Sequence, residues 1–122
     1  DLSSASLNPT SRCQARPKAL RRIIRKHRAS YRARHLYRLA VRRVTPYDCG
    51  HHGRFAIPCG IVDRESRYSW GAYNYSSGAR GPYQFLGWSV PWPVDSSADR
   101  LAHHRMAARL WAGGAGASHW GF

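Results

Sequence analysis

The chain has a single glutamate, Glu65, and its setting makes it a candidate for acid–base chemistry. It lies at the end of an apolar stretch. If this stretch is a helix, Ile61 and Val62 lie four and three residues before Glu65 on the same side, so we expect a half-buried carboxyl. Apolar surroundings disfavour an ionised carboxylate, which lets an enzyme keep an acid protonated near neutral pH. The alternative is a surface or helix-capping carboxylate paired with Arg64 or Arg67.

The segment after Glu65 combines turn residues with aromatic residues. Between Trp70 and Leu86 it holds glycine, serine and asparagine together with four tyrosine or phenylalanine residues. This composition favours a loop or short hairpin that forms one wall of a cleft. The helix before it has Pro58 at its start, and we expect this proline in the first turn, where its missing N–H is not needed.

Three ordered blocks in this region resemble those of a known family. They are Glu65-Ser66, then Ala72-Tyr73-Asn74, then Ser77-Gly78-Ala79-Arg80-Gly81-Pro82-Tyr83-Gln84-Phe85. These blocks are similar to the Glu-Ser, Ala-x-Asn and Gly-Ala-x-Gly-x-x-Gln blocks of lysozyme-like lytic transglycosylases, above all the small actinobacterial type with a resuscitation-promoting factor catalytic domain. The resemblance covers about residues 54–120, with Trp88 and Ala117–Trp120 in register. It departs at Pro82-Tyr83, where the larger transglycosylases usually carry Leu-Met.

The resemblance implies cleavage of the β-1,4 bond between N-acetylmuramic acid and N-acetylglucosamine in peptidoglycan, with no metal or cofactor. In that family one glutamate, here Glu65, protonates the leaving oxygen and then, as a carboxylate, takes a proton from the C6 hydroxyl of muramic acid. This attack gives a 1,6-anhydro product and needs no protein nucleophile. The likeness further implies a set of substrate-binding or cleft-lining residues: Ser66, Tyr73, Asn74, Gly81, Tyr83, Gln84, Trp88 and Trp120.

The other acidic residues bear on the mechanism. Most glycosidases need two carboxylates that flank the scissile bond. Asp63 lies roughly 200° round a helix from Glu65, so the two cannot converge on one bond. Asp95 and Asp99 lie at the start of a predicted helix, where capping explains them better. Asp48 stays open: if the fold brings it beside Glu65, the enzyme is an ordinary hydrolytic muramidase.

Charge divides the chain into three parts. We expect a flexible polar segment over residues 1–16, a basic amphipathic helix over 17–45 and a lysozyme-like catalytic domain over 46–122. Thirteen of the 20 Lys and Arg residues lie in residues 1–43, so the formal net charge of +14 is mostly N-terminal. The helix carries an apolar stripe at Leu20, Ile23, Ile24, His27, Tyr31, His35, Leu36, Leu39 and Ala40.

Two roles are open for this basic helix. It either docks its stripe on the catalytic domain or binds a polyanion, such as a wall teichoic acid, an anionic membrane surface or nucleic acid. No stretch has the apolar core of a signal peptide or the length to span a bilayer. We therefore expect that an export signal has been removed and the protein is extracellular or in the cell wall, or that the chain is a piece of a phage virion protein.

The three cysteines suggest one disulfide. Cys49 and Cys59 bracket the approach to the predicted catalytic helix, and a bond between them would hold the start of that helix in an exported enzyme. Cys13 would then be free or intermolecular. A metal site from the two later cysteines with His51 and His52 is not expected, because the spacing matches no zinc pattern.

The remaining pattern predicts the scaffold of a mainly α (α+β lysozyme-like) fold. A helix capped by Ser96 or Ser97 runs to about Trp111 and stops before Gly113-Gly114. We expect its inward side to be Leu101, Ala102, Met106 and Leu110. His103 and His104 are adjacent and so should point in different directions, without a shared role.

A second class of function stays open. In this alternative the chain lacks catalysis and serves as a cationic binding or structural module for nucleic acid or another virion protein, with Glu65 in a structural role. Arginine density cannot decide this, since attraction to phosphate needs only positive charge. The two classes differ in whether Glu65 lines an open cleft with Gln84 and Tyr83.

Overall fold

The structure, a computed structural model, describes residues 17–122, except for the side chains of Pro17 and Trp88. The segment 1–16, predicted to be flexible, and the state of Cys13 lie outside the described residues. The chain divides into two units, one that ends at Arg38 and one that spans Leu39–Phe122. The second unit contains all three blocks around Glu65.

The basic helix, α1, spans Pro17–Val44, as the sequence predicts. Arg42 and Arg43 lie in its last turn, where cations complement the helix dipole. Thr45 Oγ donates to the carbonyl of Val41 at 2.6 Å and so satisfies one of the last free carbonyls. Several apolar side chains along α1 are exposed: Leu20, Ile23, Ile24, Tyr31, Leu36 and Leu39. Among residues 17–122, no helix is long and apolar enough to cross a membrane.

A small hairpin leads into the helix of Glu65. Strands β1 (Tyr47–Asp48) and β2 (Arg54–Phe55) pair antiparallel. A disulfide joins Cys49, between the strands, to Cys59, the first residue of helix α2 (Cys59–Ser66), with 5.7 Å between their Cα atoms. The start of α2 is thus tied covalently to the hairpin. Pro58 lies at the N-cap, one position before the predicted first turn.

Helix α3 spans Ser97–Trp111, and Ser96 caps it by accepting the N–H of Asp99 at 3.1 Å. Its predicted inward side is confirmed in part, because Met106 and Leu110 are partly buried and pack against the core. The fully buried residues of α3 are instead His103, His104 and Ala107, and Leu101 and Ala102 are only partly buried. The two histidines both become buried because neighbouring segments pack on two sides of the helix, so adjacent positions are covered together.

The core of the second unit joins the hairpin, α2, α3 and the C-terminal residues. Its buried apolar members are Phe55, Ala56, Ile57, Ile61, Val62, Tyr83, Phe85, Val90, Ala107 and Trp120. The described part of the chain is mainly helical, with one two-stranded sheet and short 3₁₀ turns at Gly50–His52, Gly87–Ser89, Ala112–Gly114 and Ala117–Trp120. The expected fold class, a small and mainly helical α+β domain, is confirmed.

Candidate functional site

Glu65 lies in the last turn of α2 with its side chain 25% exposed, so the expected half-burial agrees with the structure. Val62, three residues earlier, is fully buried, which places the apolar side of the helix against the core. The carboxylate is also ion-paired: Arg64 donates to Glu65 Oε2 from Nη2 at 3.0 Å and from Nε at 3.2 Å. The alternative pairing with Arg64 is therefore present together with the apolar setting. Both contacts go to Oε2.

Arg64 also connects Glu65 to the C-terminus. Its Nη2 donates to the carbonyl of Trp120, and its guanidinium lies 4.3 Å from the centre of the Phe122 ring. The side chain is held in place by three partners. Sequence reasoning treated Arg64 only as a possible partner for a non-catalytic glutamate, because its contact with residues 56 positions away is invisible in local spacing.

Ser66 joins α2 to the segment that follows. Its hydroxyl lies 2.8 Å from the carbonyl of Pro82 and 3.1 Å from that of Val62. We call residues 72–85 the wall loop. Ser66 was predicted to bind substrate, but its hydroxyl instead fastens the end of α2 to the wall loop. The first and third sequence blocks are thereby in direct contact.

Two turns build the wall loop. Asn74 N–H donates to Ala79 O at 2.8 Å, and Gly78 N–H donates to Asn74 O at 2.7 Å. Asn74 Oδ1 accepts hydrogen bonds from the backbone N–H and the hydroxyl of Ser76, at 3.0 and 2.8 Å. Two roles were predicted for Asn74, contact with the sugar or support of the wall. These contacts lie within the loop and therefore support the wall. The side chain stabilises the turn that it begins.

The second turn contains Gly81 and Gln84. Gly81 has φ of +80°, and a Cβ there would lie 2.8 Å from Cε1 of His103, so both backbone and packing require glycine. Gly81 was predicted to bind substrate, but the structure shows it packed closely against His103 of α3. Gln84 also lies in the left-handed region, at φ +58°, and its Nε2 donates to Gly81 O at 3.0 Å. Non-glycine residues rarely adopt this conformation, which marks Gln84 as a constrained position.

The side chain of Tyr83 lies in the core, although the residue also borders the cavity described below. Its side chain is 1% exposed, and its hydroxyl accepts the N–H of Ala56 at 2.8 Å and lies 2.6 Å from Nδ1 of His104. Burial raises the pKa of the Tyr83 phenol, while the Ala56 N–H opposes this rise. The prediction that the Tyr83 side chain contacts substrate is corrected: its ring and hydroxyl tie the wall loop to the hairpin and to α3.

A cavity of about 220 Å³ lies beside the wall loop. It is lined by Tyr83, Gln84, Phe85, Leu86, Ser89, Leu110, His119 and Trp120. Trp120 is 5% exposed, and its Nε1 donates to the carbonyl of Tyr83 at 3.0 Å. Its side chain therefore forms part of the buried base of this cavity. Glu65 does not line the cavity; Arg64, bonded to both Glu65 and Trp120, lies between them. The predicted contact of Trp88 with the cleft falls on a side chain outside the described residues.

The aspartates have local partners. Asp48 is 69% exposed; it accepts the N–H of Gly50 at 3.0 Å and pairs with Arg54 at 3.7 Å. Asp99 Oδ2 accepts the N–H of Asp95 at 2.9 Å, which fits the predicted role at the start of α3. Asp63 is exposed on α2. No contact in the described chain joins any of them to Glu65.

Sequence reasoning missed the two histidines under the wall loop. His104 is 4% exposed, and burial lowers its pKa to about 4, with the charges of His103 and Arg100 acting in the same direction. His103 Nε2 bonds to Pro91 O at 2.9 Å, and burial lowers its pKa as well, although the Pro91 carbonyl and Asp99 oppose this. His103 Nδ1 is buried and, within residues 17–122, has no hydrogen-bond partner. The His104 ring is therefore neutral at pH 7.

The described residues contain no group of three or more metal-ligating side chains. Cys49 and Cys59 are joined in a disulfide, so neither can offer a thiolate to His51 or His52. The His51 ring instead packs against the His52 ring at a tilt of 39°, with centres 3.9 Å apart, and His52 stacks on Tyr68 at 4.0 Å. This cluster packs beside the disulfide.

The three blocks thus form one constrained unit around a single half-exposed carboxylate. Ser66, Gly81, Tyr83 and Trp120 hold it together, while Tyr73 and Gln84 keep part of their side chains accessible. Non-glycine residues with positive φ lie within this stretch, at Arg67, Tyr68 and Gln84. The arrangement can offer one oxygen of Glu65 for proton transfer. No family model, curated protein or solved structure matches this chain.

Proposed function

We propose that the protein is a peptidoglycan lytic transglycosylase that cleaves the β-1,4 bond between N-acetylmuramic acid and N-acetylglucosamine. The observation that carries the proposal is the hydrogen bond from Ser66 to Pro82 O. It links the Glu-Ser block to the Gly-Ala-x-Gly-x-x-Gln block, and Gly81 N–H closes the set by donating to Ala72 O at 2.9 Å. Residues that resemble one family's motifs in sequence are therefore neighbours in space beside the end of α2, the helix that carries Glu65.

One carboxylate performs both proton transfers in this mechanism. Glu65, as the acid, donates its proton to the glycosidic oxygen as the bond from C1 of muramic acid breaks. The resulting carboxylate takes the proton of the C6 hydroxyl, whose oxygen bonds to C1 and forms the 1,6-anhydro ring. Glu65 ends the cycle protonated again. The local partners of Asp48 and Asp99 support a mechanism without a second carboxylate.

Arg64 takes part by orienting the carboxyl group. Because both of its contacts are with Oε2, Oε1 is the oxygen that carries the transferred proton. The first step needs the protonated form of Glu65, and the second step needs its carboxylate.

The cavity beside Gln84 supplies a subsite for the glycan. Apolar side chains, Leu86 and Leu110, and polar ones, Gln84 and Ser89, line it together. This mixture suits a saccharide substituent that has both a methyl and an amide group, such as an N-acetyl group. An extracellular or cell-wall location, or a place in a phage virion, is part of the same proposal.

A second candidate function rests on the basic helix. Residues 17–38 of α1 carry nine Lys and Arg residues and no acid, and their apolar side chains are exposed. A cationic amphipathic helix binds anionic wall polymers, an anionic membrane surface or nucleic acid. In this alternative the domain is a binding or structural module, among other virion proteins for example, and the Arg64–Glu65 ion pair is only structural. The absence of Glu65 from the cavity that Gln84 and Tyr83 line favours this alternative.

The test is digestion of purified peptidoglycan with the wild type, Glu65→Gln and the control Asp63→Asn, an exposed acid on the same helix. Mass analysis of the released muropeptides reads the product. We expect anhydro-muropeptides from the wild type and the control, and at least a thousand-fold less from Glu65→Gln. Reducing-end products that require Asp48 would instead identify a hydrolytic muramidase. Equal release by wild type and Glu65→Gln, or none from either, would remove the catalytic proposal.

A further inference from the structure

An aromatic and cationic cluster lies at the outer end of the wall loop. We call it the aromatic platform; it consists of Tyr73, Tyr75, Arg80 and Trp92. Tyr73 and Trp92 stack with ring centres 6.1 Å apart and planes inclined by 27°, and Tyr75 meets Tyr73 edge-on at 4.9 Å. Tyr73 is 37% exposed and Tyr75 is 92% exposed. Large aromatic side chains grouped at a surface in this way are typical of a binding site.

Arg80 is held beside these rings. Its guanidinium lies 5.3 Å from the centre of the Tyr73 ring and 5.9 Å from that of Trp92. Its Nε donates to Gly78 O at 3.0 Å, which fixes the plane of the guanidinium. A guanidinium group that is held next to aromatic rings can donate two parallel hydrogen bonds to a carboxylate or to neighbouring hydroxyl groups. The platform therefore offers stacking and directed hydrogen bonding at the same place.

The platform is continuous with the candidate site through the backbone. Arg80 forms an isolated β-bridge with Tyr73 on one side and with Phe85 on the other. Arg80 N–H donates to Phe85 O at 2.9 Å, and Phe85 N–H donates to Arg80 O at 3.0 Å. Phe85 lines the 220 Å³ cavity next to Gln84. A ligand that extends along the wall loop from that cavity reaches the platform.

We propose that the aromatic platform is an outer saccharide subsite that holds a peptidoglycan strand beyond the bond that is cut. The ring of an N-acetylhexosamine stacks its apolar C–H face on Tyr73 and Trp92. Arg80 binds a carboxylate of the same strand, either that of the stem peptide or the lactyl group of a muramic acid that carries no peptide. This subsite rests on the proposed function, since it assumes that the strand also passes Glu65.

Charge argues for a glycan over a nucleic acid. A groove for single-stranded nucleic acid combines stacking rings with several cations that follow successive phosphates. The platform holds one cation, Arg80, among three aromatic residues. A sugar chain needs stacking faces and few charges, because its hydroxyl and N-acetyl groups are neutral. The exposed tyrosine rings and the single guanidinium group of Arg80 suit a sugar chain.

Binding measurements in an inactive variant test this subsite independently of catalysis. We would measure, in the inactive Glu65→Gln protein, the affinity for the neutral N-acetylglucosamine hexamer and for soluble muropeptide oligomers. Tyr73→Ala and Trp92→Ala are expected to weaken binding of both ligands about ten-fold. Tyr73→Phe, which keeps the ring, should bind within two-fold of its parent. Arg80→Gln should weaken only muropeptide binding, and Tyr31→Ala, an exposed tyrosine of α1, is the matched control.

The outcomes are distinct from those for the proposed function. Thermal unfolding of each variant excludes misfolding, and Tyr73 is the decisive position because its ring is part-exposed. If Tyr73→Ala and Tyr73→Phe both bind like their parent, the subsite is overturned even when the wild type releases anhydro-muropeptides. If Glu65→Gln binds neither glycan but binds an oligonucleotide through Trp92, the platform belongs to a nucleic acid and the subsite is again overturned.

Discussion

Acidification should destabilise the fold through His104, which is buried as a neutral ring. Its Nδ1 lies 2.6 Å from the Tyr83 hydroxyl, and that hydroxyl accepts the N–H of Ala56. The hydroxyl donates to His104 Nδ1 in one tautomer of the ring and accepts from it in the other. The ring of Trp70 packs against His104 at 5.1 Å. In either tautomer a second proton on the ring would place a charge among aromatic rings, close to Arg100.

The magnitude follows from the pKa of His104. Burial and the charges of His103 and Arg100 lower it from 6.5 to about 4 in the folded protein. Below pH 6.5, His104 is protonated in the unfolded chain, whereas in the folded chain it stays neutral until the pH reaches about 4. The contribution to stability is therefore complete above pH 6.5 and is lost as the pH falls towards 4. A difference of about 2.5 pH units corresponds to about 3 kcal/mol, a large part of the stability of a small domain.

The assay is urea denaturation followed by tryptophan fluorescence, at pH 7.5 and at pH 4. The variant His104→Asn keeps a hydrogen-bond acceptor near Nδ1 but does not titrate, and His35→Asn, an exposed histidine of α1, is its control. The wild type and the control should lose about 3 kcal/mol more than His104→Asn between the two pH values. Equal losses in His104→Asn and His35→Asn would refute the reasoning, whatever their stabilities at pH 7.5.

Two further predictions concern the scaffold of the site. Gly81→Ala should lower the free energy of unfolding by about 3 kcal/mol, since it combines a left-handed backbone with a methyl group 2.8 Å from the His103 ring. Gly78→Ala has φ of +78° but no neighbour closer than 3.9 Å, so about 1 kcal/mol is expected, and equal losses by denaturant titration would contradict the packing argument. Reduction of the disulfide between Cys49 and Cys59 should lower stability by about 2–3 kcal/mol. An unchanged melting temperature under reducing conditions would count against that role.

The helices could be predicted from the sequence because their signals are local. The arginine-rich periodicity defined α1 to within a residue, and the serine before α3 caps it as expected. The short wall also followed from local turn chemistry, since Asn74 and Gly78 make their hydrogen bonds within the loop. Such contacts span few residues and depend on nothing distant.

The roles of individual motif residues could not be predicted in this way. Ser66 and Tyr83 stand in blocks that resemble a substrate-binding motif, yet their hydroxyl groups bind backbone and a histidine. The partner of the Tyr83 hydroxyl on α3 lies 21 residues away. Spacing along a chain does not say whether a polar side chain faces solvent or another element.

The sequence by itself determined that this protein has one glutamate at the end of an apolar helix, a turn-rich segment after it and a cationic helix before it. Tertiary structure alone decided that Arg64 joins Glu65 to Trp120, that His103 and His104 are both buried, and that Trp92 stacks on Tyr73. The physical reason is that helix and turn signals come from neighbours along the chain. Burial and ion pairing depend on which distant segments the core brings together.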